Sequence, residues 1–517
     1  MHNDRIKSDI SSKGEKMDSK KQIKNGAVIS YIAIVFNITA SFLYTPWMVH
    51  SIGKSDYGLY TLAVSLISIF LMDFGIGSVV TRFASKYRVD NDTISINNLL
   101  GIVFKLFIVI DLVIFVILTV TYFYLGDIYV GLETAELQQF KMLYLIIAGF
   151  SIISFPFTIL SGIFNAYEYF VQLKLCDLIQ KISTIILIVF ALLQGYGVIT
   201  IVAVNTLTGI VTIAVKLYLL KRNTPIKVNF KCKSKTLLKE MFDFSIWITI
   251  IGIAQRLTYN MAPSILGIVS TSYEIAIYSP ADAIAGYFFT IAIAIDGLFL
   301  PTIFRKIAEK KQQDILSIMI KVGRFQITIL GLIFVGLVCV GKEFITLWMG
   351  EEYEKSYYCT IILILPALFE YTQQIARLTV VAENKVKLQS IGLISTSILN
   401  IPISLLLSYR HGAVGVSLAI CITAFLNLIF MNIIYYKVLK FDMLKFYRIC
   451  FVRMIIPICG TLVSASVILS CIEQKGWLWL AIKGIIVLII FGILSFVFFV
   501  NKEERNKLVS IIRKRWK

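Results

Sequence analysis

Charge is what this chain has least of: 16 % of its residues are Asp, Glu, Lys or Arg, against about 25 % in a soluble domain. Histidine is nearly missing. His2, His50 and His411 are the three present, none beside other possible ligands, so neither a metal site nor an imidazole relay can be assembled around them. The eight cysteines follow no CxxC or regular spacing, which excludes a disulfide-stapled fold and a thiolate metal site. No GxxxxGK[ST] loop occurs, so ATP is not the direct energy source, and no HExxH, GxSxG or paired-acid motif supports catalysis. The reading is a non-enzyme without cofactor or metal.

What the chain has instead is apolar length. Hydrophobic residues make up 58 % of 517, the mean hydropathy is +0.81, and the excess runs along nearly the whole chain in blocks of about 20 residues, the length that crosses a bilayer as a helix. The blocks predict an all-α polytopic membrane protein with about fourteen transmembrane helices, near 25–48, 58–81, 99–124, 140–164, 175–194, 197–220, 242–268, 276–303, 315–341, 359–382, 388–409, 412–436, 448–471 and 477–500. One continuous apolar run has twice the length of a span and must be cut, at Gln194-Gly-Tyr-Gly197.

A net charge of +19 would suggest nucleic acid in a soluble protein. Its placement argues otherwise. With the N-terminus inside, alternate loops collect 35 Lys and Arg on the inner side and 5 on the outer, the positive-inside pattern. Both termini are therefore expected in the cytoplasm of a cell with a multi-pass inner membrane, and nucleic acid is not a partner. Residues 1–24 carry seven bases and four acids with no apolar core, so they read as a solvated cytoplasmic tail and not as a cleavable signal. The expected organisation is this tail, a six-helix bundle over 25–220, a basic linker over 221–241, a second six-helix bundle over 242–437, a helix pair within 438–500 and a basic tail over 501–517. The longest outer loops, 125–139 and 342–358, are too short for a catalytic domain.

Short motif matches carry little. Asp73-Phe74-Gly75 lies in an apolar span with no other kinase element, Gly195-Tyr196-Gly197 lacks the preceding residues of a potassium filter, and the Asn37-Ile38-Thr39 sequon sits inside the first span. An internal repeat carries more. Ser55-Asp-Tyr-Gly-Leu-Tyr60 after the first span matches Tyr273-Glu-Ile-Ala-Ile-Tyr278 after the seventh in acid, small residue and tyrosine, and six intervening spans give both halves the same direction.

On Tyr44-Thr-Pro-Trp47, Gly53-Lys-Ser-Asp-Tyr-Gly58, Asp73-Phe-Gly-Ile-Gly77 and Thr81-Arg82, together with the span number, repeat and orientation, the chain resembles Wzx-type polysaccharide flippases. These share a superfamily with multidrug extruders and lipid II flippases. The resemblance implies two six-helix bundles of the multidrug-extruder type plus two C-terminal helices, which favour the lipid-linked branches and in lipid II flippases form a groove for the lipid tail. It implies translocation of a polyprenyl-diphosphate-linked oligosaccharide, for O-antigen or capsule, with membrane lipids and the pathway's polymerase machinery as candidate partners. A lipid II-type flippase, a multidrug or cation antiporter and a membrane-embedded polysaccharide polymerase are the alternatives.

Ionised groups at mid-bilayer cost about 2.5–3.5 kcal/mol on insertion scales, so they are expected to face protein, water or a partner. Glu370, Gln373, Gln374 and Arg377 recur at i, i+3, i+4 and i+7 on one helical face. Arg256 and Asn260 are one turn apart ahead of Pro263, and Asn37 heads a stripe in the first span with Ser41, Tyr44 and Thr45. Arg256 and Arg377 offer planar forks to phosphate oxygens, and Arg324, with Lys321, could assist from the inner side. Asp73, Asp282, Asp296 and Glu370 are the candidates for coupling to an ion gradient. The competing reading is interhelical salt bridging, such as Arg256 with Asp282 or Glu370. Pro46, Pro263, Pro280 and Pro301 flank the proposed path as candidate bends.

Overall fold

The computed structural model describes residues 2–72, 74–309, 312–383 and 385–500, and among the described residues all regular structure is helical. Two compact units divide the chain, Met1–Ala276 and Ile277–Lys517.

The first unit holds α1 (His2–Ile52), α2 (Lys54–Phe70), α3 (Ile76–Val89), α4 (Thr93–Phe123), the short α5 (Leu125–Ile128), α6 (Thr134–Ser154), α7 (Leu160–Ala166), α8 (Phe170–Leu193), α9 (Val198–Asn223), α10 (Lys235–Gln255), α11 (Ala262–Val269) and the first turn of α12 (Ser272–Ala308). Local chemistry sets several of the starts. The Asp92 carboxylate accepts from the Ser95 amide at 2.9 Å and caps α4, while Glu133 and Glu136 form a reciprocal capping box at α6, each satisfying amides that a helix start leaves open. The long apolar run is cut where the sequence predicts: α8 ends at Leu193, Gly195 takes φ +83°, and α9 begins at Val198. α10 packs on α3, and α11 packs on α2. Both therefore lie in the first unit, and α10 begins at Lys235, within the expected 221–241 linker.

The second unit holds the rest of α12, α13 (Gln312–Met349), α14 (Glu354–Tyr371), α15 (Gln374–Ala382), α16 (Val386–Lys437), the short α17 (Met443–Tyr447), α18 (Arg453–Ser470) and α19 (Trp477–Leu494). α16 is one helical run of two spans. At its midpoint Gly412 adopts φ 52° and ψ −129°, a backbone that strains any residue with a Cβ, and the chain reverses there. The expected outer loop 342–358 is largely helical, because α13 runs on to Met349 and a turn at Glu351–Tyr353 leads directly into α14. A core of Phe288, Leu330, Ile364, Met454 and Phe491 joins α12, α13 and α14 to the last two long helices.

Ten helical segments among the described residues are long and apolar enough to cross a membrane, and the bent pair α14–α15 makes an eleventh. The sequence-based figure of about fourteen is higher for a physical reason: α16 contains two expected spans, and the expected spans 58–81 and 242–268 are each interrupted. The first breaks between α2 and α3, where Phe74 and Gly75 take positive φ. The second breaks at a π-helical turn, Arg256–Asn260. Apolar side chains on the outer helix surfaces stay exposed, among them Ile485, Leu488, Ile489 and Ile493 of α19. A bilayer supplies the partner such surfaces need.

Candidate translocation site

In the second unit, α14 and α15 meet at 54° across Thr372 and Gln373. Pro366, one turn before Glu370, removes an amide from the helical ladder. Around this break Glu370, Gln373 and Arg377 line a crevice with Gln389, Leu393, Asn427, Leu428, Met431 and Tyr435 of α16. Arg377 Nη1 donates to Glu370 Oε1 at 3.3 Å, and the two side chains keep 19 % and 18 % of their surface open. Gln373 Nε2 donates to the Tyr447 hydroxyl at 2.6 Å, which also accepts from Asn432 Nδ2 at 2.9 Å. The side-chain oxygens of Gln373, Gln389 and Asn427 are buried and take no donor among the described residues. The crevice thus combines an ion pair with three open acceptors, and the room for a water centre within it is about 10 Å³, enough for roughly one water.

Periodicity predicted the face of Glu370, Gln373 and Arg377. Gln374, expected on the same face, is half-buried and does not line the crevice, because the break at 372–373 rotates α15 away from the register of α14. Gln389 and Asn427 were missed. Their signal was present, since each is a polar amide inside an otherwise apolar span.

Arg324 departs furthest from expectation. It is 5 % exposed, its Nη2 donates to the Phe499 carbonyl at 2.7 Å, and its guanidinium lies 4.2 Å from the centre of the Phe499 ring. The fork that was to meet a phosphate instead holds the π-helical end of the last span, Ser495–Phe499, where open carbonyls favour a cation. A second tie engages the same helix pair: Lys483 Nζ sits 2.7 Å from Glu343 Oε2 and 3.1 Å from the Gln474 carbonyl.

In the first unit, Arg256 and Asn260 fall on the π-helical turn between α10 and α11, with Arg256 Nη1 3.4 Å from Asn260 Oδ1. Pro263 explains the widening. It has no amide to give, and its ring would collide with the Tyr259 carbonyl in a regular helix. Both residues are half-buried, as is Asn37 on α1, and the Tyr44 hydroxyl below it is buried without a partner among the described residues. Asp282, in the second unit, is open at the surface of α12 and accepts from the Tyr278 hydroxyl at 3.5 Å. Asp73 and the side chain of Asp296 lie outside the described residues. No group of three or more His, Cys, Asp or Glu that could hold a metal occurs among the described residues.

The chain comes together at the starts of the two repeat segments. Ser55 and Ser272 both donate to the Glu136 carboxylate, Ser272 at 2.5 Å, and the Lys54 ammonium lies 4.7 Å from the centre of the Tyr273 ring. A Cβ on Gly58 would run into the Ser272 carbonyl, so glycine is what permits this approach.

Interrupted helices that place charged and amide groups inside an all-helical multi-pass protein define the class: a membrane transporter fold. The family model for polysaccharide biosynthesis proteins matches residues 23–295, and the chain belongs to that family. No curated protein sequence matches it. Among solved structures, the lipid II flippase MurJ in an inward closed conformation aligns with a TM-score of 0.69 at 14 % identity, covering 92 % of this chain and 98 % of that one. An inward-facing multidrug resistance MATE family transporter of the MOP superfamily aligns at 0.63 with 11 % identity, covering 80 % and 99 %. The MATE multidrug transporter DinF-BH aligns at 0.59 with 15 % identity, covering 81 % and 95 %. These likenesses establish a fold of the MurJ and MATE type.

Proposed function

We propose that this protein moves a polyprenyl-diphosphate-linked oligosaccharide from the inner to the outer leaflet of a bacterial cytoplasmic membrane, with both termini in the cytoplasm, for assembly of a surface polysaccharide such as O-antigen or capsule. The observation that carries the reading is the Arg377–Glu370 pair at a broken span, bordered by three open amide oxygens. A guanidinium whose partner is a single half-open carboxylate can exchange it for a diphosphate oxygen. Amide and hydroxyl groups suit sugar hydroxyls, and the lipid tail stays in the bilayer.

Alternating access follows the same logic. When anionic substrate draws Arg377 away, Glu370 is left uncompensated in a low-dielectric site and takes up a proton or a monovalent cation beside the amide oxygens. Downhill movement of that ion is worth about 2.3 kcal/mol per charge per 100 mV, which makes the exchange a point of ion coupling. The Glu136 latch between Ser55 and Ser272 serves as the outer closure that must open. Arg256 and Asn260, on their widened turn, offer a further polar contact, and polymerase machinery receives the product outside.

A lipid II-type substrate is the second reading. One observation favours it: the 8 % of this chain unmatched by MurJ, about 41 residues, is shorter than the stretch from α17 to Phe499, so part of the last helix pair has a counterpart there. The test is deletion of the gene followed by leaflet-resolved analysis of lipid-linked sugars. Accumulation of an oligosaccharide diphosphate lipid in the inner leaflet, cleared by the wild type and not by Arg377→Ala, is the expected result. Accumulation of lipid II would select the second reading, and normal leaflet distribution would end both.

A further inference from the structure

α8 carries a lysine that neither the crevice nor the Arg256 turn uses. Lys181 lies eleven residues after Phe170 and twelve before Leu193, so its Cα is roughly 17 Å from either end of the helix. That is too far for its four-carbon stem to reach an interface by snorkelling. Yet Lys181 is exposed, and its ammonium has no hydrogen bond or ion pair among the described residues. An ammonium bare to lipid at mid-span would be among the costliest placements in the molecule.

The rest of α8 shows which side it faces. Of the exposed apolar residues, Leu175, Ile179, Ile186, Phe190 and Leu193 form one ridge with Leu187 on its flank, the side that hydrocarbon covers. At 100° per residue, Lys181 stands roughly 150° round the helix from the centre of that ridge. It belongs to the stripe Lys174, Asp177, Lys181 and Thr184, spaced by three, four and three residues. Asp177 is already engaged with Lys216 of α9 at 2.8 Å, so the stripe keeps an excess of positive charge. Exposure without lipid requires water.

We propose that Lys181 projects into a water-filled side of the first unit and there holds the anionic diphosphate head of the transported lipid. This rests on the substrate class proposed above and adds α8 to the helices that contact it. A full-length chain with its eight native cysteines replaced, carrying Lys181→Cys or Ile186→Cys, separates water from lipid by the rate of reaction with a charged, membrane-impermeant thiol reagent. Cys at 181 is expected to react at least tenfold faster than Cys at 186, and equal rates would overturn the proposal. Geranylgeranyl diphosphate should slow labelling at 181, and geranylgeraniol should not. Protection by both or by neither would overturn the anion contact.

In the chain with native cysteines, Lys181→Gln is expected to lower translocation at least tenfold and Lys181→Arg to keep most of it. Unchanged transport by Lys181→Gln would overturn the role. Fast labelling and selective protection, in a strain whose lipid-linked sugars prove normally distributed, would leave Lys181 an anion site while removing the oligosaccharide reading.

Discussion

Arg377 and Arg324 are the same side chain placed inside spans of the same unit, and they meet the cost of burial in opposite ways. Arg324 is closed on a backbone carbonyl and an aromatic face at the end of the last span. A carbonyl cannot titrate or leave, so the contact is permanent. Arg377 leans at 3.3 Å on a carboxylate that can be protonated, beside acceptors left open. Its partner is exchangeable. A cation inside a membrane protein can therefore exchange its partner when that partner can change state, and is an anchor when it cannot.

The largest effect that would break this comparison belongs to the anchors. Lys483→Met leaves the half-buried Glu343 without its cation, and should lower stability by up to about 3–5 kcal/mol, the range for a broken buried pair, read as a fall in the detergent melting temperature. Lys483→Met with Glu343→Leu should recover most of the loss, since neither charge remains. If the double variant is no better than the single one, the tie is not an ion pair in energetic terms. Arg324→Met is expected to cost about 2 kcal/mol, the scale of a hydrogen bond from a charged donor, while translocation per folded molecule stays within a factor of three.

Arg377→Ala should invert that pattern, with translocation per folded molecule down at least tenfold, a smaller fall in melting temperature than Lys483→Met because Glu370 can take up a proton, and partial rescue by Arg377→Lys. A large loss of stability with proportionate transport would make Arg377 a second Arg324. The latch sharpens the contrast within the first unit. The Ser55 and Ser272 hydroxyl oxygens are 3.4 Å apart, so Ser55→Cys with Ser272→Cys should cross-link under mild oxidation and stop transport until reduced. The smallest effect is expected for Gln373→Leu, a two- to threefold change in transport, because it removes one open acceptor and the hydrogen bond to Tyr447 but leaves the ion pair.

Much of this was legible in the residues. The apolar blocks, the cut at Gln194–Gly197 and the face of Glu370, Gln373 and Arg377 follow from helical geometry and the cost of burying charge, and both act locally. Gln389 and Asn427 carried the same signal more faintly, for a neutral amide costs less to insert than a charge and stands out less against Leu and Ile. Arg324 was misread because a cation in a span reports only that a partner exists. Whether the partner is a substrate phosphate or the far end of another helix depends on which elements pack together, 175 residues apart in this case.

The sequence by itself determined the membrane class, the order of the spans and the need for interior polar partners, because each is set by the length and composition of a single segment against the bilayer. Tertiary structure decided how far each helix breaks beyond what Pro263 and Pro366 dictate locally, and it alone decided which charge closes on which acceptor. Those outcomes depend on contacts between distant segments: the π turn beside α2, the 54° bend that carries Arg377 back to Glu370, and the packing of the last helix against α13. Spacing along the chain sets the face a side chain occupies, and packing sets what stands opposite it.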